Sequence, residues 1–296
     1  MKQFKYQSAI NYSGYRKEHS PREKTYPTKA EILEDLTLLK GEFELLRIYD
    51  CSPHAYRTLE VIEENSLPFK VLLGLSMAAE ENHVDHPYHY VYPDELLKRF
   101  KKMNKELVQE IIDLANRYEA IVSGVSIGNE IRSVWSNRRV PISRMIDVAK
   151  QIKQNTNVPI TYCEEYHLWL EELKPLADVL DVISLHTYPA WQGVPIEDAL
   201  DAAVRNYHEV QTVYPDKECM ITETGWPTSS HGAKIDVDVA NVTNQKIYNQ
   251  QIIDWAKQED VLVYLFEAFD EPWKGGNHPA EPEKHWGIYY ENRTRK

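Results

Sequence analysis

Short apolar runs of four to seven residues recur along the chain, and longer amphipathic stretches separate them. Runs of this length, rich in β-branched and large apolar residues, predict buried strands. We predict eight strands, at residues 9–12, 45–49, 70–75, 121–127, 159–162, 182–185, 219–222 and 261–266. Strands that alternate with helices pair in parallel through right-handed crossovers. Eight such units predict an α/β fold of the (β/α)8 or TIM barrel type, whose active site lies at the carboxyl ends of the strands.

Helix-start signals support this alternation. Thr28 and Glu31 form a capping-box pattern, and Asp94 follows Pro93 at the start of a long amphipathic stretch. Beyond the eighth strand and a long segment, only residues 286–296 remain, so we expect a short or missing final helix. Because no internal repeat, low-complexity tract or linker interrupts the pattern, residues 1–296 are predicted to form a single catalytic barrel domain.

The composition limits which molecules the protein is expected to bind. The 296 residues are 42% hydrophobic and 27% charged, which is typical of a folded globular protein. No apolar run approaches the roughly 20 residues that span a bilayer. The net charge of −12 would repel phosphate backbones, so we expect neither nucleic acid nor a membrane as partner. Nineteen Tyr and seven Trp favour a surface that binds sugar rings.

The cysteines bear on the compartment. Cys51, Cys163 and Cys219 lie far apart, are odd in number and form no CxxC pair, which favours free thiols in a reducing compartment. No apolar stretch typical of an export signal follows the basic N-terminus. We therefore expect a cytoplasmic protein, or a periplasmic or secreted one if a signal was removed, and a monomer.

Two glutamates follow predicted strands directly. The fourth strand runs into Gly128-Asn129-Glu130, and the seventh runs into Glu223-Thr224-Gly225-Trp226-Pro227. The separation of 93 residues (223 minus 130) gives 31 for each of three βα units, close to the roughly 250/8 of a typical barrel. Two carboxyl groups that face one pocket are what glycosidic cleavage requires. Alternatively, a Glu after a strand only favours the start of the next helix.

These motifs, together with Arg47-Ile48-Tyr49-Asp50, resemble those of glycoside hydrolase family 17, the β-1,3-glucanases of a large retaining (β/α)8 clan. The resemblance extends from residue 11 to residue 290. It implies that Glu130 is the general acid/base and Glu223 the nucleophile. It also implies that Asn129 binds the sugar 2-hydroxyl and that Tyr49 and Tyr188 contact the substrate.

The same resemblance extends beyond the eighth strand. The family has a Glu there, a Lys three residues on, and a further Glu, which implies substrate-binding roles for Glu271, Lys274 and Glu283. We expect Lys274 to offset the carboxylates and hold Glu223 charged; the alternative is an ordinary surface ion pair with Glu271. Trp residues that follow strands are expected to stack on sugar rings, namely Trp226 with Trp191, Trp273 and Trp286.

Other polar residues are given lesser roles. His83, His86 and His89 recur every three residues, but Pro87 interrupts a helical face and no familiar zinc spacing appears. We therefore expect a polar loop over the groove, with no metal and no cofactor. Arg47, inside a strand, is interpreted as a satisfied interior charge.

The function expected is a retaining glycoside hydrolase that acts on β-1,3-glucan of the laminarin type, or on its oligosaccharides, by double displacement. Three alternatives stay open: a β-1,3-glucan transglycosylase with the same covalent intermediate, a non-catalytic carbohydrate-binding barrel, and a metal-dependent barrel enzyme. Two long segments, 76–92 and 270–285, follow strands at the catalytic face. Their bulky residues could close one end of the groove and favour exo-type action, namely Tyr88, Tyr90, Tyr92, Trp273 and His285.

Overall fold

Eight parallel strands form the centre of the molecule. The computed structural model describes residues 4–83, 87 and 90–296. Each strand pairs with the next in chain order, and the eighth pairs with the first, so the sheet closes into a barrel. This confirms the (β/α)8 prediction. The strands are β1 (Ser8–Asn11), β2 (Leu45–Ile48), β3 (Lys70–Gly74), β4 (Val122–Asn129), β5 (Ile160–Glu165), β6 (Val182–His186), β7 (Glu218–Thr224) and β8 (Val263–Leu265).

Helices connect successive strands, with two short ones between β5 and β6. They are α1 (Lys29–Leu39), α2 (Pro53–Glu64), α3 (Asp94–Arg117), α4 (Ile142–Asn155), α5 (Tyr166–Trp169), α6 (Lys174–Ala177), α7 (Ala199–Val213) and α8 (Val242–Glu259). Among the described residues, β8 is followed only by a 3-10 turn at Pro282–Lys284, in agreement with the expected short or missing final helix. None of the described helices has the length and apolar character needed to cross a membrane.

The sequence signals for helix starts match the structure. Thr28 is the N-cap of α1, where its hydroxyl accepts from the Glu31 amide while the Glu31 side chain accepts from the Thr28 amide. Helix α3 begins at Asp94, directly after Pro93. Capping satisfies amide groups that a helix start leaves unpaired, which is why these short patterns locate the elements well.

The barrel interior changes from apolar to polar towards the carboxyl ends of the strands. Its apolar layer consists of Ala9, Leu45, Leu72, Val182, Met220, Leu262 and Tyr264. Because side chains alternate between the faces of a strand, Asn11 and Arg47 are the next inward residues after Ala9 and Leu45. Both are buried. This polar layer is the floor beneath the open end of the barrel.

Candidate active site

The two predicted catalytic glutamates meet at the carboxyl ends of their strands. Glu130 follows β4, and Glu223 is the penultimate residue of β7. Strand pairing shifts register near the ends of both β4 and β7. One carboxylate oxygen of each glutamate and a ring nitrogen of His186 all lie within 4.8 Å of one another. The structure therefore brings together the pair that the motifs indicated.

Glu223 is a buried carboxylate held by three donors. Oε1 accepts from Arg47 Nη1 at 2.6 Å and from the Tyr49 hydroxyl at 3.1 Å, and Oε2 accepts from the Tyr188 hydroxyl at 2.6 Å. Burial alone would raise the pKa of Glu223, but the charges of His186 and Arg47 with these hydrogen bonds lower it to about 2. Glu223 is therefore ionised and fixed in direction, as a nucleophile must be.

Arg47 is a satisfied interior charge, as the sequence indicated, and Glu223 is one of its partners. Its guanidinium also donates to Asn129 Oδ1 and to Asn11 Oδ1, the latter at 3.0 Å. Since Arg47 occupies Asn129 Oδ1, the Asn129 amide nitrogen remains available to donate to a bound hydroxyl. That orientation supports the role that the resemblance implies for Asn129.

Tyr49 and Tyr188, expected as substrate contacts, are both partly exposed and both donate to Glu223. The Arg47 guanidinium lies 4.5 Å from the centre of the Tyr49 ring. The Tyr188 ring packs edge-on against Trp286 at 5.1 Å. Each tyrosine therefore holds Glu223 in place through its hydroxyl.

His186 is a site residue that sequence reasoning missed. Its Nδ1 lies 2.7 Å from Glu130 Oε1 and 3.6 Å from Glu223 Oε2. Burial would lower the pKa of His186, but the charge of Glu223, the Cys163 thiol and Glu130 raise it to about 10. The available signal was its position in His186-Thr187-Tyr188-Pro189, at the end of the sixth strand.

Glu130 differs from Glu223 in exposure and backbone conformation. Its side chain is 22% exposed, and its φ of 48° lies in the left-handed region that non-glycine residues rarely adopt. Its amide donates to Cys163 O at 3.0 Å. Such a conformation has an energetic cost and is common at functional sites, where the surrounding structure enforces it. Glu130 is thus accessible from the cleft, as an acid/base residue must be.

Two further carboxyl groups from β5 lie near Glu130. Glu164 is buried and accepts from the Ser133 hydroxyl, at 2.6 Å, and from the Arg132 amide, at 3.0 Å, so it fixes the segment after Glu130. Burial and then the charge of Glu130 raise the pKa of Glu165 to about 8. Glu130 thus has acidic neighbours that the sequence did not reveal.

The predicted cluster after β8 forms, but with different partners. Lys274 Nζ donates to Glu267 at 2.5 Å and lies 3.0 Å from Glu271 Oε2. The expectation that Lys274 holds Glu223 charged is therefore wrong, because Arg47 and His186 do so. Sequence reasoning also missed Glu267, the main partner of Lys274.

Glu271 and Glu283 occupy different surroundings. Glu271 is buried and accepts from the Tyr15 amide and from Trp273 Nε1, so it ties the segment after β8 to the segment after β1. Burial raises the pKa of Glu283, Lys274 opposes this, and the charges of Glu130 and Glu223 add to it. Glu283 is partly exposed and lies on the catalytic face near both glutamates.

The expected stacking role of Trp226 needs correction. Its side chain is fully buried, its Nε1 donates to Val239 O at 2.8 Å, and its ring packs against Tyr248 of α8. Trp286 is also fully buried. Neither ring offers a face to a sugar. Trp191 and Trp273 are partly exposed, and stacking on sugar rings stays a prediction for these two.

The histidine-rich segment and the cysteines were the remaining candidates for metal binding or thiol chemistry. His86, Tyr88 and His89 lie outside the described residues, so no metal set from that loop is tested. The Glu130, His186 and Glu223 atoms are close enough to hold an ion, but Glu223 already accepts from Arg47, Tyr49 and Tyr188. A cationic guanidinium at 2.6 Å disfavours a metal there. All three cysteines are free and buried.

Comparison with known proteins agrees with this geometry. The family model described as BtgE/BtgC glycoside hydrolase domain matches residues 9–287. A Schizosaccharomyces pombe protein named glucan 1,3-beta-glucosidase is 29% identical, with 90% of this chain and 79% of that protein covered. An Aspergillus terreus protein named probable glucan endo-1,3-beta-glucosidase btgC is 25% identical over 90% of this chain. The chain spans only 40% of that longer protein.

Two solved structures share the fold. An endo-laminarinase from Formosa gives a TM-score of 0.81 at 22% identity, with 97% of this chain and 84% of that one covered. A glycoside hydrolase family 17 beta-1,3-glucanosyltransferase from Rhizomucor miehei gives 0.75 at 23% identity, with 98% and 95% covered. The chain therefore belongs to the BtgE/BtgC glycoside hydrolase domain family, and its resemblance to the β-1,3-glucanases of glycoside hydrolase family 17 is confirmed.

Proposed function

We propose that this protein is a retaining glycoside hydrolase that cleaves β-1,3-glucan of the laminarin type, or its oligosaccharides, with Glu223 as nucleophile and Glu130 as general acid/base. One observation carries the proposal: oxygens of the two carboxyl groups lie within 4.8 Å at the mouth of the barrel. Retaining enzymes hold their carboxyl groups about 5–5.5 Å apart, whereas inverting enzymes need about 6.5–9.5 Å to admit a water molecule.

The environments of the two groups fit their separate tasks. In the first step, ionised Glu223 attacks the anomeric carbon while Glu130 protonates the departing glycosidic oxygen. In the second step, Glu130 removes a proton from water, whose oxygen displaces Glu223 from the sugar. Glu223 is anionic and immobile, while Glu130 can be reached from the cleft. We propose that Asn129 binds the 2-hydroxyl, where hydrogen bonds strengthen in the transition state.

The linkage preference rests on the relatives rather than on the catalytic pair. The relatives whose names specify a linkage are named for 1,3-β-linked glucan. Wild-type protein should therefore be incubated with β-1,3-, β-1,4- and mixed-linkage glucans, with Glu130→Gln and Glu223→Gln as inactive controls. Cleavage of β-1,3-glucan by wild type alone supports the proposal. Equal activity of either variant would exclude it.

The same covalent intermediate allows transfer to another sugar. Whether water or an acceptor hydroxyl reaches the glycosyl-enzyme decides between hydrolysis and transglycosylation. Product analysis at high laminari-oligosaccharide concentration separates the two outcomes, because only transfer yields products longer than the substrate.

We also propose exo-type or oligosaccharide-preferring action. Trp273, from the segment after β8, packs against Tyr15 with ring centres 5.7 Å apart, and the Arg22 guanidinium lies 5.6 Å from the Trp273 ring. These contacts hold the segment after β8 against the segment after β1. A groove closed on that side favours attack at a chain end.

A reducing compartment and a monomeric state complete the proposal. The three free buried thiols support a reducing compartment, which cell fractionation tests. Light scattering tests the monomer.

A further inference from the structure

His186 occupies the space between the catalytic carboxyl groups, yet the two-step mechanism gives it no task. It ends β6 and its side chain is fully buried. Its Nδ1 is 2.7 Å from Glu130 Oε1, a hydrogen bond, and 3.6 Å from Glu223 Oε2. A buried imidazole this close to two carboxyl groups shares in their proton balance.

Charged and titratable groups from four strands surround the imidazole. Glu130 follows β4, Glu223 lies on β7, and Cys163 and Glu165 lie on β5. The charge of Arg47, on β2, lowers the pKa of Glu223 and of the Cys163 thiol. Burial opposes a charge on His186, but the neighbouring Glu223, Cys163 and Glu130 raise its pKa to about 10. The imidazole therefore binds a proton at neutral pH when Glu130 is ionised.

The position of that proton does not change the charge of the site. With Glu223 ionised, Glu130, His186 and Glu223 together carry a net charge of −1 in both arrangements. In one, the proton lies on Glu130 beside a neutral imidazole; in the other, it lies on His186 beside an ionised Glu130. The two arrangements differ only by transfer along the 2.7 Å hydrogen bond. Proton transfer over such a distance has the geometry that acid–base catalysis requires.

We propose that His186 shares the catalytic proton with Glu130 and is a positioning residue that keeps the acid/base supplied with that proton. The inference rests on the proposed function. In the first step, the pair gives one proton to the glycosidic oxygen as the C1–O bond breaks and the bond from C1 to Glu223 forms. In the second step, Glu130 regains a proton from the attacking water, which restores the pair.

The test compares two substrates that differ in their need for an acid. One is laminaritriose, whose leaving sugar needs protonation. The other is the dinitrophenyl β-glycoside of laminaribiose, whose leaving group departs without it. The variant is His186→Asn, because an amide can still donate to Glu130 but cannot bind a proton. His186→Gln is measured in parallel as an amide of different length.

We expect His186→Asn to lower kcat on laminaritriose about 10- to 100-fold. The KM should change by less than about threefold, and the basic limb of the kcat/KM profile should move to lower pH, because the variant lacks the imidazole that shares the proton. On the aryl glycoside, formation of the glycosyl-enzyme should fall clearly less than turnover of laminaritriose, because Arg47, Tyr49 and Tyr188 still hold Glu223 when His186 is replaced. Formation of the glycosyl-enzyme also shows that the site is folded.

Tyr188→Phe is the matched control, because it removes a hydrogen bond to the nucleophile and none to Glu130. It should slow both substrates alike. The inference is overturned if His186→Asn also slows both substrates alike, or if the basic limb does not move. Failure of the proposed function gives a different result: wild type leaves laminaritriose intact, or Glu130→Gln loses both substrates equally.

Discussion

Arg47→Met probes the interaction that holds Glu223, the proposed nucleophile. Arg47 is 2% exposed and donates to Glu223 Oε1 at 2.6 Å, to Asn11 Oδ1 at 3.0 Å, to Thr222 O at 3.3 Å, and to Asn129 Oδ1. Methionine keeps an apolar stem of similar reach but removes every donor. Glu223 then remains buried with less compensation for its charge.

The expected loss of stability follows from the burial of the Arg47–Glu223 ion pair. Removing one partner of a buried ion pair costs about 3–5 kcal/mol, because the other charge is left uncompensated. A chain of this size loses roughly 2–4 °C of Tm per kcal/mol. We therefore expect Arg47→Met to lower the Tm by roughly 6–20 °C.

A double-mutant cycle isolates the ionic part of the Arg47–Glu223 interaction. In Glu223→Gln, no charge remains to be left uncompensated, so Arg47→Met should then cost only its hydrogen bonds, about 1–2 kcal/mol. The control is Arg293→Met, since Arg293 forms a second buried ion pair with Asp35, at 2.7 Å, without contacting Glu223. Its cost should add to that of Glu223→Gln. Urea denaturation at pH 7 measures all five variants.

The lowered pKa of Glu223 determines how the stability of the protein should change with pH. The folded-state pKa of Glu223, about 2, lies below its ordinary value. Its charged form therefore contributes stability that is present at neutral pH and is lost as pH falls from about 4.5 towards 2. The cost of Arg47→Met should shrink over that range. Additive costs of Arg47→Met and Glu223→Gln, with no pH dependence, would refute the reasoning.

Four other outcomes test the remaining parts of the site. Proton NMR should detect the β-anomer as the first product from a laminari-oligosaccharide, because carboxyl groups this close favour double displacement; initial α-anomer would exclude retention. Early digests of laminarin should contain one small product, whereas a broad ladder with a rapid fall in polymer size would indicate an open cleft. Trp226→Ala should lower the free energy of unfolding by about 3–5 kcal/mol with little change in KM, because the ring is fully buried. Trp191→Ala should raise KM with little change in the free energy of unfolding. Denaturation and kinetics measure the two quantities.

Local patterns predicted the fold well because they report local physics. All eight apolar runs form strands of the closed barrel, although the eighth, predicted at 261–266, is shorter, at Val263–Leu265. Glu130 and Glu223 were located because each directly follows or ends such a run. The capping box at Thr28 was predictable because its hydrogen bonds join residues only three positions apart.

Contacts across the barrel were not predictable in the same way. His186 lies near both glutamates, which come from β4 and β7, and the register shifts at β4–β5 and β6–β7 cannot be read from the sequence. Lys274 contacts Glu271 as its i, i+3 spacing suggested, but its other partner, Glu267, lies seven residues earlier. Trp226 follows a strand, yet α8 covers its ring. Sequence position locates a residue near the rim but does not decide which way its side chain turns.

Trapping of the covalent intermediate on Glu223 tests the central claim most directly. Glu130→Gln should be mixed with the dinitrophenyl β-glycoside of laminaribiose and examined by mass spectrometry. The first step needs no acid with this substrate and the second lacks its base, so a glycosyl-enzyme should accumulate. We predict a mass increase of one laminaribiosyl unit on the peptide that contains Glu223, and none in Glu223→Gln. Release of dinitrophenol with no adduct, or with an adduct on another residue, would contradict the account.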